Sequence, residues 1–352
     1  MGQLRASAVD SQIIIYLLQY GVTNGAIYAL LALALVLVFS VTRVLFLPQG
    51  QFVAFGALTM AAFQSGRIPG TIWFVIIAGC VVFVLDMIRL APSREYRPLL
   101  RSGLWNIGYP LAVSTLVLLP LKDASQVLQI AATLLIVAPL GPMIYRIAYE
   151  PVIDTSILNL LMISVAIDVA MTGFSLLVFG PEAFRTAMFS NEVLKVGIIE
   201  IDYQVLWVVG GSVVVLGMLF VFFQFTIFGK ALLATAMNRR GARLMGIPTA
   251  LAGKSAFLVA GILGAISGIL ICPIVPIIYD TGFIIGLKGF VGAVVGGLAS
   301  FPLAVLGAVA LGIVESFASF WSSDHKDVVV FAVIIPALLL LSSRVRGAGS
   351  DE

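Results

Sequence analysis

Long apolar segments recur along the whole chain, and they restrict the possible folds more than any other feature. They lie near residues 13–41, 50–65, 71–90, 104–121, 127–148, 157–180, 204–227, 255–278, 287–319 and 327–343. These segments have lengths typical of bilayer helices, and they lack the alternating polar positions of membrane-spanning strands. The sequence therefore predicts an all-α integral membrane protein, a polytopic helical bundle of about ten transmembrane helices in a single domain, residues 1–352.

The overall composition supports a membrane protein. Hydrophobic residues make up 61% of the chain and charged residues 11%, and the mean hydropathy is +1.13. A soluble domain of this length could not bury so much apolar surface, whereas a bilayer acts as a solvent for it. The polar N-terminal stretch leads into the first apolar segment without a convincing small-residue cleavage site, so we expect a retained first helix and not a signal peptide.

One apolar segment, 287–319, contains residues that break a helix. It is interrupted by the run Gly296-Gly297-Leu298-Ala299-Ser300-Phe301-Pro302. We expect two shorter helices joined by a break, because proline and glycine pairs do not continue a straight helix. Irregular backbone within a bilayer is stable only against protein or a water-filled path, so this break is a candidate for the pathway lining.

The charges between apolar segments predict the orientation. The basic segment, residues 227–254, has no Asp or Glu and carries Lys230, Arg239, Arg240, Arg243 and Lys254. Residues 89–101 carry four arginines against one glutamate, whereas 181–203 carry four carboxylates against two cations. Positively charged loops stay on the cytoplasmic side. We therefore expect the basic segment and residues 89–101 inside, and residues 181–203 and the N-terminus outside. A soluble partner would then have access to 227–254.

The sequence offers no catalytic centre, no metal site and no cofactor site. His325 is the only histidine, and Cys80 and Cys272 both lie within apolar segments, where packing is the usual role. The run around Lys254 resembles the end of a phosphate-binding loop, but Pro248 stands where the leading glycine belongs and no strand is expected before it. The chain is therefore not expected to be an enzyme, and any ATP would bind another chain.

Polar side chains within the apolar segments are candidates for a solute pathway, because they are costly in a bilayer. Gln19, Asn24 and Asp168 either face such a path or form hydrogen bonds between helices. We expect Lys288 to extend its amine to the outer interface, and Glu315 to cap a helix or form an ion pair. Glycines four residues apart, in the pairs Gly264/Gly268 and Gly292/Gly296, predict close helix packing.

Three stretches resemble the LivH-type permeases, membrane subunits of ATP-binding-cassette importers for branched-chain amino acids. They are the first helix from Gly21 to Ala34, the run Gly229–Ala236 followed by Ala242–Ile247, and the run Gly282–Phe290 with its continuation through Gly296-Gly297 to Glu315 and Lys326-Asp327. The resemblance covers both ends of the chain and is strongest in the last hundred or so residues.

The resemblance implies a type II ABC importer-like fold in a bacterial inner membrane. It also implies a LivM-like second permease, two ABC ATPase subunits and an extracytoplasmic solute-binding protein as partners. The basic segment would then contain a short coupling helix that docks on an ATPase. The residues implied in this ATPase coupling are Lys230, Arg239, Arg240, Arg243 and Gly246.

Two features depart from the family pattern. Where relatives commonly carry an ionisable pair after the first helix, this chain has the amides Gln49 and Gln51, which are further pathway candidates but put substrate or gating chemistry there in doubt. Residues 84–126 also look inserted, and they predict an additional hairpin of two helices. An even number of added crossings leaves the predicted orientation unchanged.

These observations favour a permease that imports branched-chain or other hydrophobic amino acids, or a related small solute such as urea, an amide or an aromatic acid. The alternative is a stand-alone secondary transporter in which Asp168 or Glu315 couples transport to an ion. The alternative needs no ATPase, so replacing the arginines of the basic segment distinguishes the two.

Overall fold

The computed structural model describes residues 2–90, 102–116, 122, 124–190, 192–196, 199–298 and 300–339. Within these residues, seven helices are long and apolar enough to cross a membrane, and two further apolar helices are shorter. The polytopic helical bundle is confirmed, whereas the count of about ten transmembrane helices is not. The segment near 50–65 forms a helix of only 16 residues, and the described parts of 104–121 and 327–343 form shorter helices still.

The helices and strands follow one another in a simple order. The first half contains α1 (Gly2–Thr42), α2 (Gln49–Gln64), α3 (Thr71–Leu90), a π turn (Leu104–Gly108) leading into α4 (Tyr109–Leu116), α5 (Gln126–Val137), α6 (Leu140–Ile144) with a π turn (Tyr145–Tyr149) and a 3₁₀ turn (Glu150–Val152), and α7 (Ile157–Phe179). The second half contains β1 (Val193–Val196), β2 (Ile199–Asp202), α8 (Tyr203–Phe225), α9 (Ile227–Met237), α10 (Arg239–Leu244), α11 (Thr249–Ile271), α12 (Thr281–Val295), α13 (Phe301–Trp321), a 3₁₀ turn (Ser323–His325) and α14 (Lys326–Ala332).

Helix α1 occupies the centre of the bundle and contacts α8, α11, α12 and α13. It runs antiparallel to α13, because Gly21 meets Ile313 while Gly25, one turn later, meets Val309. A Cβ atom at Gly21 would lie 2.7 Å from the Ile313 Cα atom. The hydrophobic effect does not drive helices together in lipid, so close packing must stabilise their contact. Glycine at these positions allows the two backbones to approach closely enough.

The break in the 287–319 segment is confirmed, and it has the form of a turn. Helix α12 ends at Val295, and the chain then adopts positive φ angles at Gly297 (83°) and Leu298 (54°) before α13 begins at Phe301. Gly292 packs on Ala308 and Gly296 on Ala304, so α12 and α13 lie antiparallel. The predicted packing role of Gly264 and Gly268 is also confirmed, since they contact the side chain of Phe52 and the backbone of α2, respectively.

Helices α2 and α12 both begin inside the bundle. Gly50, at the start of α2, contacts Gly282 and Gly286 at the start of α12, and a Cβ atom at Gly286 would lie 2.8 Å from the Gly50 Cα atom. Every residue of α2 except Gln64 is buried. These two helix starts therefore place backbone N–H groups in the protein interior, an arrangement that a bilayer tolerates only when protein surrounds it.

The two ends of the bundle differ in chemistry. The end formed by α9, α10 and the start of α11, here called the basic end, also holds the end of α1, because Leu37 and Val41 cluster with Leu232 and Ala252. The opposite end, here called the hairpin end, holds the antiparallel pair β1–β2, which the sequence did not predict. It also joins the two connections that follow α7 and α11 through a backbone bridge between Phe184 and Ile277.

Candidate functional site

The basic segment folds into two short helices with defined ends. Thr226 caps α9 by accepting a hydrogen bond from the Gly229 N–H at 2.9 Å, and Asn238 caps α10 by accepting one from the Gly241 N–H at 2.9 Å. Gly246 ends α10 in the left-handed conformation (φ 82°), which L-residues adopt at a cost. The segment is therefore a fixed structure rather than an irregular loop, and Gly246 shapes its end.

The exposed surface of this segment combines cations with large apolar side chains. Lys230, Arg240 and Arg243 are exposed, whereas Arg239 is half-buried. Between and beside them, Met237, Leu244 and Met245 are 87%, 89% and 84% exposed. We call the group Met237, Arg240, Arg243, Leu244 and Met245 the docking surface. Adjacent exposed apolar side chains typically mark a site for another macromolecule.

The other side of the segment is anchored in the bundle. Gly229 packs against the backbone of Phe222 and Phe223 in α8, and Leu232 is buried in a cluster with α1 and α11. Arg243 also donates a hydrogen bond to the Thr249 hydroxyl of α11 at 3.3 Å. A force applied to the docking surface would therefore reach three of the long helices.

We expected Lys254 to belong to the exposed basic segment because it lies in 227–254, but the structure places it within a helix of the bundle. Helix α11 begins at Thr249, and Lys254 lies in it with its amine 3.7 Å from the Glu150 carboxylate. Arg146 bridges Glu150 (3.0 Å) and Asp86, which also accepts a hydrogen bond from Ser102. This ionic network joins Asp86 and Ser102, within the segment 84–126, to α11. Arg94, Arg97 and Arg101 lie outside the described residues.

Three predicted pathway residues meet at the buried start of α2. The Gln51 amide donates to the Asp168 carboxylate at 3.2 Å and to the Thr172 hydroxyl at 2.7 Å, and the Gln49 amide donates to the Ala260 carbonyl oxygen at 2.8 Å. Gln49 and Gln51 are fully buried. Each retains an amide oxygen with no hydrogen-bond partner in the described part of the chain, so this cluster has unused capacity for a polar ligand or water.

The other two predicted pathway residues lie on α1, and no hydrogen bond among the described residues joins them to this cluster. Gln19 lines a cleft at the hairpin end. Asn24 is 5% exposed, and the next residue, Gly25, packs against α13. The candidates therefore divide into a central group and a group closer to the hairpin end.

A second buried polar group joins four elements. The Lys288 amine lies 2.6 Å from the Glu315 carboxylate and 2.8 Å from the Asp327 carboxylate, and the Tyr28 hydroxyl donates to Glu315 at 2.7 Å. Lys288 is 6% exposed, so our expectation that its amine extends to the outer interface was wrong. The expected pairing of Glu315 is confirmed. Sequence reasoning missed Tyr28, although a hydroxyl-bearing residue in an otherwise apolar segment was a usable signal.

Comparison with known proteins decides the family. The family model described as the permease component of the branched-chain amino acid transport system matches residues 101–338, about two thirds of the chain. This chain belongs to that family. The membership confirms the expected resemblance to this permease family, and it makes the chain a transport subunit and not an enzyme.

Relatives of this family are similar in sequence over most of this chain. The high-affinity branched-chain amino acid transport system permease LivH of Escherichia coli K12 is 25% identical over 97% of this chain and 99% of its own. LivH of Salmonella typhimurium is 28% identical over 62% of this chain and 73% of its own length. BraD of Pseudomonas aeruginosa is 26% identical over 82% of this chain and 95% of its own length. No solved structure matches the chain.

The family assigns this multi-pass membrane protein to the permeases of ABC importers. Such permeases work with ATPase subunits and a solute-binding protein.

Proposed function

We propose that this chain is the inner-membrane permease of a bacterial importer for branched-chain or other hydrophobic amino acids. In this assembly it pairs with a LivM-like second permease, and two ATPases act on the permease pair. The observation that carries the proposal is the docking surface, where Leu244 and Met245 are 89% and 84% exposed beside Arg240 and Arg243. Such a surface suits a groove that offers both apolar contacts and carboxylates.

The attachments of the basic segment support a mechanical role. The docking surface lies on α9, α10 and the turn that follows, and these are fixed to α1, α8 and α11 through Leu232, Gly229 and Arg243. When nucleotide closes the two ATPases, displacement of the docking surface shifts the ends of these helices at the basic end. The coupling role of Lys230 and Arg239 is then secondary, since Lys230 lies on α9 outside the docking surface and Arg239 is half-buried.

The charges at the two ends support placing the basic end in the cytoplasm. Cations at this end include Arg43, Arg89, Arg146 and those of the basic segment, while carboxylates such as Glu182, Glu192 and Asp280 collect at the hairpin end. Positive charges near helix ends resist translocation. The hairpin end would then face the solute-binding protein.

The proposed substrate class follows the names of the relatives, which are branched-chain amino acid permeases. The central group of Gln49, Gln51 and Asp168 supports a small polar passage, because its amide oxygens retain hydrogen-bonding capacity in an otherwise apolar interior. A solute that enters the interior of the bundle needs such groups to replace its hydration.

The experiment compares complexes expressed with the tagged ATPases of the same transport system. Arg240→Glu with Arg243→Glu should abolish co-purification of the ATPases, because both cations are exposed and their reversal places carboxylates in the interface. The matched control is Arg67→Glu, an exposed arginine between α2 and α3. Unchanged co-purification with normal uptake would mean that the ATPases bind another surface, and would refute the docking surface that carries the proposal.

The orientation is tested separately by labelling in sealed cells. A cysteine introduced by Gly241→Cys should be protected from a membrane-impermeant thiol reagent, while one introduced by Ser323→Cys at the hairpin end should react. The reverse pattern would place the docking surface outside the cell, where no ATPase reaches it.

A further inference from the structure

A cleft of about 560 Å³ opens at the hairpin end of the bundle. The first turns of α8, the last turns of α13, part of α1 and the connections after α7 and α11 form its walls. Its volume falls within the range of roughly 300–1,000 Å³ that is common for small-ligand sites. It is separate from the docking surface, which lies at the opposite end.

The cleft carries charges of both signs. Arg185 lies on one connection and donates a hydrogen bond to the Ile274 carbonyl oxygen at 2.7 Å, while Glu192 precedes β1 and Asp202 ends β2. Both carboxylates are exposed. A ligand with only one charge would be attracted to one part of this lining and repelled by the other, whereas a zwitterion finds a complement for each end.

Two amide side chains in the lining retain opposite hydrogen-bonding groups. Gln204 is 3% exposed, and its oxygen accepts a hydrogen bond from the Phe189 N–H at 3.0 Å. That bond fixes the orientation of the amide and leaves its Nε2 donor without a partner among the described residues. The Gln19 oxygen is likewise buried and without a partner there. A buried polar atom of this kind destabilises the protein unless a ligand or water satisfies it.

The rest of the lining is largely apolar. Leu17, Met188, Val205, Ile274 and Phe320 contribute hydrocarbon surface. An aliphatic side chain would gain free energy by leaving water for this surface. A ligand that matches the whole cleft therefore combines a carboxylate, an ammonium group and a branched aliphatic chain.

We infer that this cleft is a binding site within the permease for an aliphatic α-amino acid. Arg185 and the Gln204 Nε2 group would recognise the carboxylate, while Glu192, Asp202 and the Gln19 oxygen would recognise the ammonium group. The inference rests on the proposed function for its substrate class, and adds a site on this subunit where the solute binds.

The test measures equilibrium binding of radiolabelled leucine to the assembled permease–ATPase complex in nanodiscs, without the solute-binding protein. Leucine should be displaced by unlabelled leucine, and at least tenfold less effectively by 4-methylpentanoate, which lacks the ammonium group, and by 3-methylbutylamine, which lacks the carboxylate. Equal displacement by all three compounds would show a merely apolar cleft and overturn the inference.

Variants of Gln204 identify the site. Gln204→Leu should weaken leucine binding at least about tenfold, since the ligand carboxylate loses a hydrogen bond that its charge strengthens. Gln204→Glu should weaken leucine further but strengthen 3-methylbutylamine, because it adds a negative charge. Gln224→Leu, at the other end of α8, is the matched control. Unchanged leucine binding in both Gln204 variants would mean that water alone occupies these amides, and would overturn the inference.

The outcome is separable from that of the proposed function. A wild-type complex that assembles with its ATPases and imports leucine, but binds none without the binding protein, refutes only the cleft. A complex that fails to retain ATPases refutes the proposed function, whatever the cleft binds.

Discussion

The ion pair between Lys288 and Glu315 should make the packing of α12 on α13 unusually sensitive to a single substitution. Both side chains are almost completely buried, and their charged atoms lie 2.6 Å apart. Replacing Lys288 with methionine removes the cation that pairs with the Glu315 carboxylate and leaves a buried charge. Breaking a buried pair in this way costs about 3–5 kcal/mol. Asp327 adds to the effect, because it is also paired with Lys288.

The magnitude translates into a clear thermal shift. Destabilisation by ~1 kcal/mol lowers the melting temperature of a medium-sized domain by about 2–4 °C, and by less in a larger chain, so Lys288→Met should lower it by about 5–10 °C. Thermal unfolding in detergent, followed by loss of the monodisperse peak in size-exclusion chromatography, measures this. Lys230→Met is the matched control, since Lys230 is exposed and should change the melting temperature by less than about 2 °C.

A double variant separates charge burial from lost packing. Lys288→Met combined with Glu315→Leu removes both buried charges, and should recover most of the stability lost in Lys288→Met alone, because replacing a whole buried pair by apolar residues is often neutral. The Tyr28 hydroxyl, which donates to Glu315, then loses its acceptor, so recovery should fall short of the wild type by about 1–3 kcal/mol. If the double variant loses as much stability as Lys288→Met and Glu315→Leu lose separately and added together, the electrostatic reasoning is refuted.

Three further predictions address the packing and the basic end. Gly50→Val should prevent monodisperse expression, because a side chain there collides with the Gly282 backbone, while Gly217→Ala, which has open space, should express normally. Gly246→Ala should retain the helical circular dichroism but weaken ATPase co-purification, since a positive φ costs an alanine about 1–2 kcal/mol and the end of α10 shifts. Asp86→Asn should lower the melting temperature while ATPases still co-purify, because its partner Arg146 is not part of the docking surface; lost co-purification would contradict this.

Features set by local chemistry were predictable from the sequence. The apolar segments, the helix break after Gly296 and the basic segment all depend on neighbouring residues, and each is present in the structure. The polar contacts were not predictable, because they join distant parts of the chain: Gln51 meets Asp168, and Lys288 meets Glu315 only because α13 folds back on α12. The prediction for Lys288 was wrong for this reason, since the turn between α12 and α13 brings Glu315 next to it.

The packing suggests which parts of the bundle move together. Helices α1, α2, α12 and α13 are joined by close backbone contacts at glycines, which leave little freedom because a shift of one helix collides with the next. Helix α8 buries only Gln204, Val208 and Ser212, one narrow stripe. Much of the rest of its surface is exposed and therefore available to lipid and to the proposed second permease. Because α9 is fixed to α8 at Gly229 as well as to α1 and α11, a displaced docking surface would shift α8 more readily than the glycine-packed α1. Gln204, in the first turn of α8, would then carry that movement to the cleft at the hairpin end.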